Sequence, residues 1–211
     1  LTIYGRATAW TIDGVSKTFP IDARLRVTPT TTTTSAGSRT TWRIRVNAPS
    51  GTILHDGAKP TTLVIRGATG SSRLQVHSKP SSYDQYRGIL RVLTSSVAPT
   101  VTVVNELRLE LYLPGVVPAE MPYSWPAEAL ETQTIAARSY AARRLRPGVS
   151  YYDVTDDTRS QVYRGVLGEK SATNAVIKAT PGVVLKSGSS IANTLLHSTG
   201  GGSTVHNENP F

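Results

Sequence analysis

The chain contains no cysteine, which excludes disulfides and thiolate metal sites and leaves the fold to packing alone. It also lacks any run approaching the roughly 20 apolar residues that a membrane-spanning helix needs. Its start, LTIYGRATAW, shows neither the basic nor the apolar stretch of a signal peptide, so a targeting segment is expected to have been removed or never to have been present. Acids are scarce: 14 Asp and Glu stand against 23 Lys and Arg, a formal charge of +9. That excess favours a polyanionic partner, be it nucleic acid, an anionic membrane or an anionic cell wall. The cations read as scattered along the chain. Neither an RNA-binding aromatic signature nor zinc-finger spacing occurs, so no nucleic-acid partner is expected.

What is present is enough for a core. The 211 residues, 38% of them hydrophobic, suit one large domain or two small ones. Up to residue 112 the chain alternates apolar and polar residues in short runs, at 25–27, 42–46, 63–65, 89–93 and 101–104, which read as strands of an antiparallel sheet system. Breakers at 48–51, 55–57 and 68–71 supply turns. The threonine-rich stretch 28–34 is low in complexity and reads as a β-prone edge or a mobile loop, with no function attached.

The second half changes character. Pro126 suits a first helical position, Glu128 and Glu131 sit in the early turns, and Arg143, Arg144 and Arg146 crowd the end before Pro147-Gly148. This predicts a helix over about 126–145. Ala129, Leu130, Ala136, Ala137, Tyr140 and Ala141 form one apolar stripe, and Ile135, Ala142 and Leu145 a second, so the helix is expected to pack between layers. A shorter helix over 171–179 ends at Pro181-Gly182. Residues 182–185 and 191–196 then read as a hairpin across Lys186-Ser187-Gly188. The expected fold class is α+β: a β-rich half, 1–112, with antiparallel sheets, packed against a helix-containing region, 113–211, that ends in a β-hairpin.

Glu120 draws attention because it lies between Pro118-Ala119 and Met121-Pro122. The prolines are expected to hold an extended backbone with little hydration around the carboxyl. Burial would raise its pKa and let it donate a proton near neutrality. The competing reading is a structural acid paired with a nearby arginine. Arg138 has no acid three or four residues away, so its partner comes from elsewhere in the fold or from a ligand. Gln133 lies within the apolar stripe and is read as structural. Asp153, Asp156 and Asp157 could offer oxygens to a hard cation, but their spacing fails the EF-hand pattern and turn capping is favoured. His197-Ser198-Thr199 precedes a glycine run, where backbone amides can approach a ligand. A serine-hydrolase reading of Ser198 fails, since an adjacent histidine is not an oriented base. His55 and His77 read as surface or turn residues.

Taken in order, Val104-Asn105-Glu106-Leu107, Tyr112-Leu113, Gly115-Val116-Val117-Pro118, Glu120-Met121-Pro122, Trp125-Pro126, Glu128-Ala129-Leu130 with Gln133, and 136–141 (AARSYA) resemble the stage II sporulation protein D family (SpoIID/LytB). Gln161-Val162-Tyr163-Arg164-Gly165 and His197-Ser198-Thr199-Gly200-Gly201 keep the family's order, and the resemblance runs from about Tyr86 to Asn209. It implies a peptidoglycan lytic transglycosylase that acts on glycan strands without a cofactor, with Glu120 as the general acid and base. Arg138, Gln161, Tyr163, His197, Ser198 and Thr199 are nominated as substrate-binding residues. Some relatives carry zinc ligands where this chain has Thr155, Arg159 and Ser160, so no metal is expected. Leu130-Glu131-Thr132-Gln133 stands where Leu-Lys-Ala-Gln is common, and Leu111 stands where an acid is common. The family continues past the glycine loop, which leaves room for the domain to extend beyond Phe211. The resemblance further implies an extracytoplasmic protein, secreted or associated with an anionic wall surface. The alternative is a noncatalytic wall-binding module that recruits or enhances an amidase.

Overall fold

Alternating burial along the first half sorts its residues onto two sheets, as the period-two pattern requires. The computed structural model describes residues 1–60 and 62–196. Its strands are β1 (Thr2–Arg6), β2 (Trp10–Ile12), β3 (Thr18–Phe19), β4 (Arg24–Thr34), β5 (Gly37–Asn47), β6 (Ile53–Ala58), β7 (Leu63–Gly67), β8 (Arg73–Val76), β9 (Gln85–Tyr86), β10 (Ile89–Thr94) and β11 (Val101–Glu106). One sheet runs in the order β6-β5-β4-β1-β8-β9 and the other β11-β10-β7-β2-β3. Every strand pair among the described residues is antiparallel.

The strands expected at 25–27, 42–46, 63–65, 89–93 and 101–104 all form. The threonine run is strand: it continues β4 and pairs with β5 out to Thr34↔Gly37. Residues 55–57, read as a turn, lie inside β6, where Val46↔His55, Arg45↔Asp56 and Ile44↔Gly57 are in register. Pairing to an already formed strand outweighs the local turn preference of Asp-Gly.

Three helices follow: α1 (Leu109–Glu120), α2 (Ala127–Arg143) and α3 (Ser171–Ala179), with a 3-10 turn at Val166–Gly168. α2 and α3 match the sequence reading closely. α1 does not. Pro114 and Pro118 lie inside it, where each removes a backbone donor. The helix persists because Tyr112, Leu113, Val116 and Val117 all bury into the core; the Arg164 N–H, which donates to the Gly115 carbonyl at 2.9 Å, ties the following segment to it. The expected division at residue 112 therefore falls within this helix. The terminal hairpin is shorter than expected: β12 (Lys186–Ser187) and β13 (Ser190–Ile191) pair across Gly188-Ser189.

Sheets and helices share one hydrophobic core. Ile3, Trp10, Leu25 and Ile65 from the strands are continuous with Leu113, Val116, Ala137 and Ile177 from the helices. No described helix is long and apolar enough to cross a membrane.

Candidate active site around Glu120

Glu120 is the last residue of α1. The chain turns extended only at Met121, with φ −143° and ψ 140°, as the residue before Pro122 must. The carboxylate is exposed, not screened by its prolines, because the helix carries it out past the buried face that ends at Val117. It forms no ion pair among the described residues. Its Oε1 accepts the Val162 backbone N–H at 2.9 Å. One backbone dipole thus orients the acid and leaves its other oxygen open.

The segment that supplies this amide is fixed from behind. Gln161 is 1% exposed. Its Oε1 accepts the Tyr112 hydroxyl and its Nε2 donates to the Ala137 carbonyl, each at 3.3 Å. Tyr163 is also buried and donates to Asn105 Oδ1 at 3.3 Å. Its ring lies 5.0 Å from that of Tyr112 and 6.0 Å from that of Tyr86. Burial pushes the phenol pKa values of Tyr112 and Tyr163 well above the ordinary range, with the charge of Glu120 adding to the effect at Tyr112. Both therefore stay neutral hydrogen-bonding groups. Gly115 makes the packing possible, since a Cβ there would come within 2.5 Å of the Tyr163 ring. Gln161 and Tyr163, nominated from the motif as substrate contacts, are thus internal supports for Val162.

Arg138 is likewise internal. It is 1% exposed and makes a bidentate pair with Glu110, at 2.8 Å from Nε and 3.0 Å from Nη2. It also donates to the Val183 carbonyl at 3.1 Å. The partner the sequence could not locate is an acid 28 positions earlier on α1, so Arg138 ties α2 to α1 and has no face toward a ligand. The same contact holds the Glu110 carboxyl below its ordinary range, chiefly through the Arg138 hydrogen bond. Gln133 is buried in α2, as expected. His197, Ser198 and Thr199 lie outside the described residues.

The aspartates act in turns and ion pairs. Asp153 accepts the Arg146 N–H at 2.7 Å, Asp156 pairs with Lys79 at 2.5 Å, and Asp157 takes both the Thr155 hydroxyl and the Arg159 guanidinium. His55 lies edge-on to Phe19 within β6.

Two aromatic rings that follow Glu120 in the chain were given no role from the sequence, although Trp125 was named within the motif. Tyr123 and Trp125 are half exposed, and Lys170 lies over the Tyr123 ring at 5.3 Å. The signal was there in two aromatics set among prolines, MPYSWP, which cannot bury themselves in a helix. The Val162 amide carried no signal, since any residue type offers one.

A cleft of about 1080 Å³ is lined by Tyr86, Asn105, Tyr112, Tyr152, Asp156 and Tyr163 among others. Glu120 does not line it. The acid and the cleft are neighbours through Tyr112 and Tyr163, not one site.

Residues 98–186 match the family model described as Stage II sporulation protein, SpoIID. The match is narrower than the 86–209 span of the motif resemblance, and it contains α1, Glu120, α2 and the 161–165 segment. An uncharacterized protein of Brachyspira hyodysenteriae (strain ATCC 49526 / WA1) is 39% identical over 117 residues, 53% of this chain and 31% of that protein. The amidase enhancer of Bacillus subtilis (strain 168) is 42% identical over 92 residues, 44% of this chain and 12% of that protein. The matched part thus spans less than a third of either relative. No solved structure matches the chain.

Proposed function

We propose that this SpoIID-type segment acts on the bacterial cell wall as a lytic transglycosylase, with Glu120 as its single acid and base. The observation that carries the reading is an ionisable side chain with no ion pair among the described residues, held by one backbone amide, within the family-matched segment. Glu110, by contrast, is tied up by Arg138.

A lone carboxyl suits this chemistry. Protonated Glu120 gives its proton to the oxygen between N-acetylmuramic acid and N-acetylglucosamine as the bond from the muramic anomeric carbon breaks. The muramic 6-hydroxyl then closes on that carbon and returns a proton to the carboxylate. The products are a 1,6-anhydromuramic end and a free N-acetylglucosamine 4-hydroxyl, so neither water nor a second acid takes part, unlike the usual glycosidase pair. Because Glu120 is exposed in the free protein, a glycan strand must itself bring the desolvation that proton donation needs. Trp125 and Tyr123 offer the apolar faces on which sugar rings can lie. Gln161 and Tyr163 work through the Val162 amide as positioning residues. His197, Ser198 and Thr199 stay nominated for polar contacts to the sugar's N-acetyl group, and Arg138 is not retained.

A second reading is favoured by the exposure of Glu120 and by the name of the Bacillus subtilis relative: a noncatalytic module that binds wall glycan and enhances an amidase. One experiment separates the two. Purified glycan strands, with and without stem peptides, are incubated with the protein and with Glu120→Gln, and anhydromuramic ends are sought by mass spectrometry. Transglycosylase action predicts such ends from the native protein and their loss in E120Q with an unchanged thermal melt. Binding by both proteins with no new ends establishes the module.

A further inference from the structure

The positive charge is not scattered. Residues 1–100 hold thirteen lysines and arginines against four aspartates, an excess of nine, whereas residues 101–211 hold ten cations against ten acids. The whole formal charge of +9 thus belongs to the β half, largely outside the 98–186 match. Much of it is gathered on one surface. In the six-stranded sheet, Ile3, Leu25, Val27, Ile44, Val46 and Leu74 bury inward. The alternate residues Arg6, Arg24, Arg26, Arg43, Arg45 and Arg73 therefore lie on the opposite face, with Arg26, Arg43 and Arg45 exposed and Arg6, Arg24 and Arg73 partly so, and Arg39 extends the set along the β4–β5 hairpin.

The register brings like charges together. Arg26 is the cross-strand partner of Arg45, and Arg6 of Arg73. Such pairs are destabilising unless an anion lies between or upon them. The acids available are few: Asp22 pairs with Arg6, Asp56 with Arg43 and Arg45, and the buried Asp84 accepts from Gln75. Arg24, Arg26, Arg39 and Arg73 have no acid partner among the described residues, and Arg73 Nε is buried without any hydrogen-bond partner.

We propose that this arginine face is a second binding site, for a linear phosphodiester polymer that carries no bases. Arginines recur about 4.8 Å apart across strands and about 7 Å apart along them, a pitch that lets successive phosphates each meet a guanidinium fork. The face is a sheet surface with no helix to enter a groove, and Tyr4 on it is already covered by the Arg6 guanidinium at 4.6 Å and met edge-on by the His77 ring at 5.8 Å. It lacks the row of stacking rings that single-stranded nucleic acid uses. The site is remote in sequence from Glu120, so it would hold the protein on a polyanion while the other region works.

The test uses the 211-residue chain and a synthetic glycerol phosphate oligomer, with a single-stranded oligonucleotide of equal charge alongside, titrated at several salt concentrations. The proposal expects the phosphate oligomer to bind at physiological salt, and R24Q/R26Q/R73Q to weaken it at least tenfold. The slope of log affinity against log salt should fall by about 2 for three lost phosphate contacts. K178Q/K186Q, on the helical region, should change neither, and thermal melts should show all variants folded. Tighter binding of the oligonucleotide than of the oligomer, or equal loss in both variants, would overturn the proposal. E120Q should bind the oligomer normally, so failure here and failure of the transglycosylase reading are distinguishable.

Discussion

Removing one partner of the Arg138–Glu110 pair exposes how unequal the two are. The arginine side chain is 1% exposed and the glutamate 43%, so E110Q strands a buried cation while R138M leaves an acid that can turn to water. E110Q is expected to cost about 3 kcal/mol and R138M about 1 kcal/mol, read from urea melts. The pH dependence follows from the lowered Glu110 pKa. Its contribution is complete above the unfolded value of 4.5 and is lost as pH falls through the lower folded value. The melting-temperature gap between wild type and E110Q should therefore narrow below pH 4.5; a gap constant down to pH 3, on the order of 1.5 units lower, would contradict the pairing. At the exposed site, Trp125→Ala should weaken glycan binding roughly tenfold without moving the melting temperature, since its ring is half in solvent and supports no core.

The element that matters most to the candidate site is the extended segment after residue 160, and two glycines set where it lies. Gly165 has φ 57° and ψ −154°, a region open essentially to glycine alone, and a Cβ there would meet the Gln85 carbonyl at 2.3 Å. Gly165→Ala is expected to destabilise by about 3 kcal/mol and to release the segment, which faster amide exchange at Val162 would reveal. Gly115→Ala presses on a ring that cannot yield, since Tyr163 is packed against Tyr112 and Tyr86. A loss of about 2 kcal/mol is expected there. α2 was legible beforehand because Pro126, its early acids and its late arginines are local signals. α1 was not, because its two prolines argue against a helix locally and only burial of Tyr112, Leu113, Val116 and Val117 overrules them.

For the whole molecule, the core that joins both sheets to the helices predicts a single cooperative unfolding transition. The family-matched segment should not fold alone. Residues 98–196 would keep β11 without β10, Tyr163 without Tyr86, and Glu169 without the Arg87 that pairs with it at 2.9 Å. A fragment of that span is expected to give no cooperative thermal transition by circular dichroism; a sharp one would show that the β half is dispensable for folding. Sequence alone determined the α+β class, the place of five strands, two helices and the prominence of Glu120, because periodicity, capping and motif order are properties of neighbouring residues. Tertiary structure decided that Glu120 is exposed and met by the Val162 amide, that Arg138, Gln161 and Tyr163 are internal, and that the arginines of separate strands share one face. Those outcomes depend on groups 16 to 69 positions apart, as in Arg6 with Asp22 and Arg6 with Gln75, meeting in space, and no local pattern encodes such meetings.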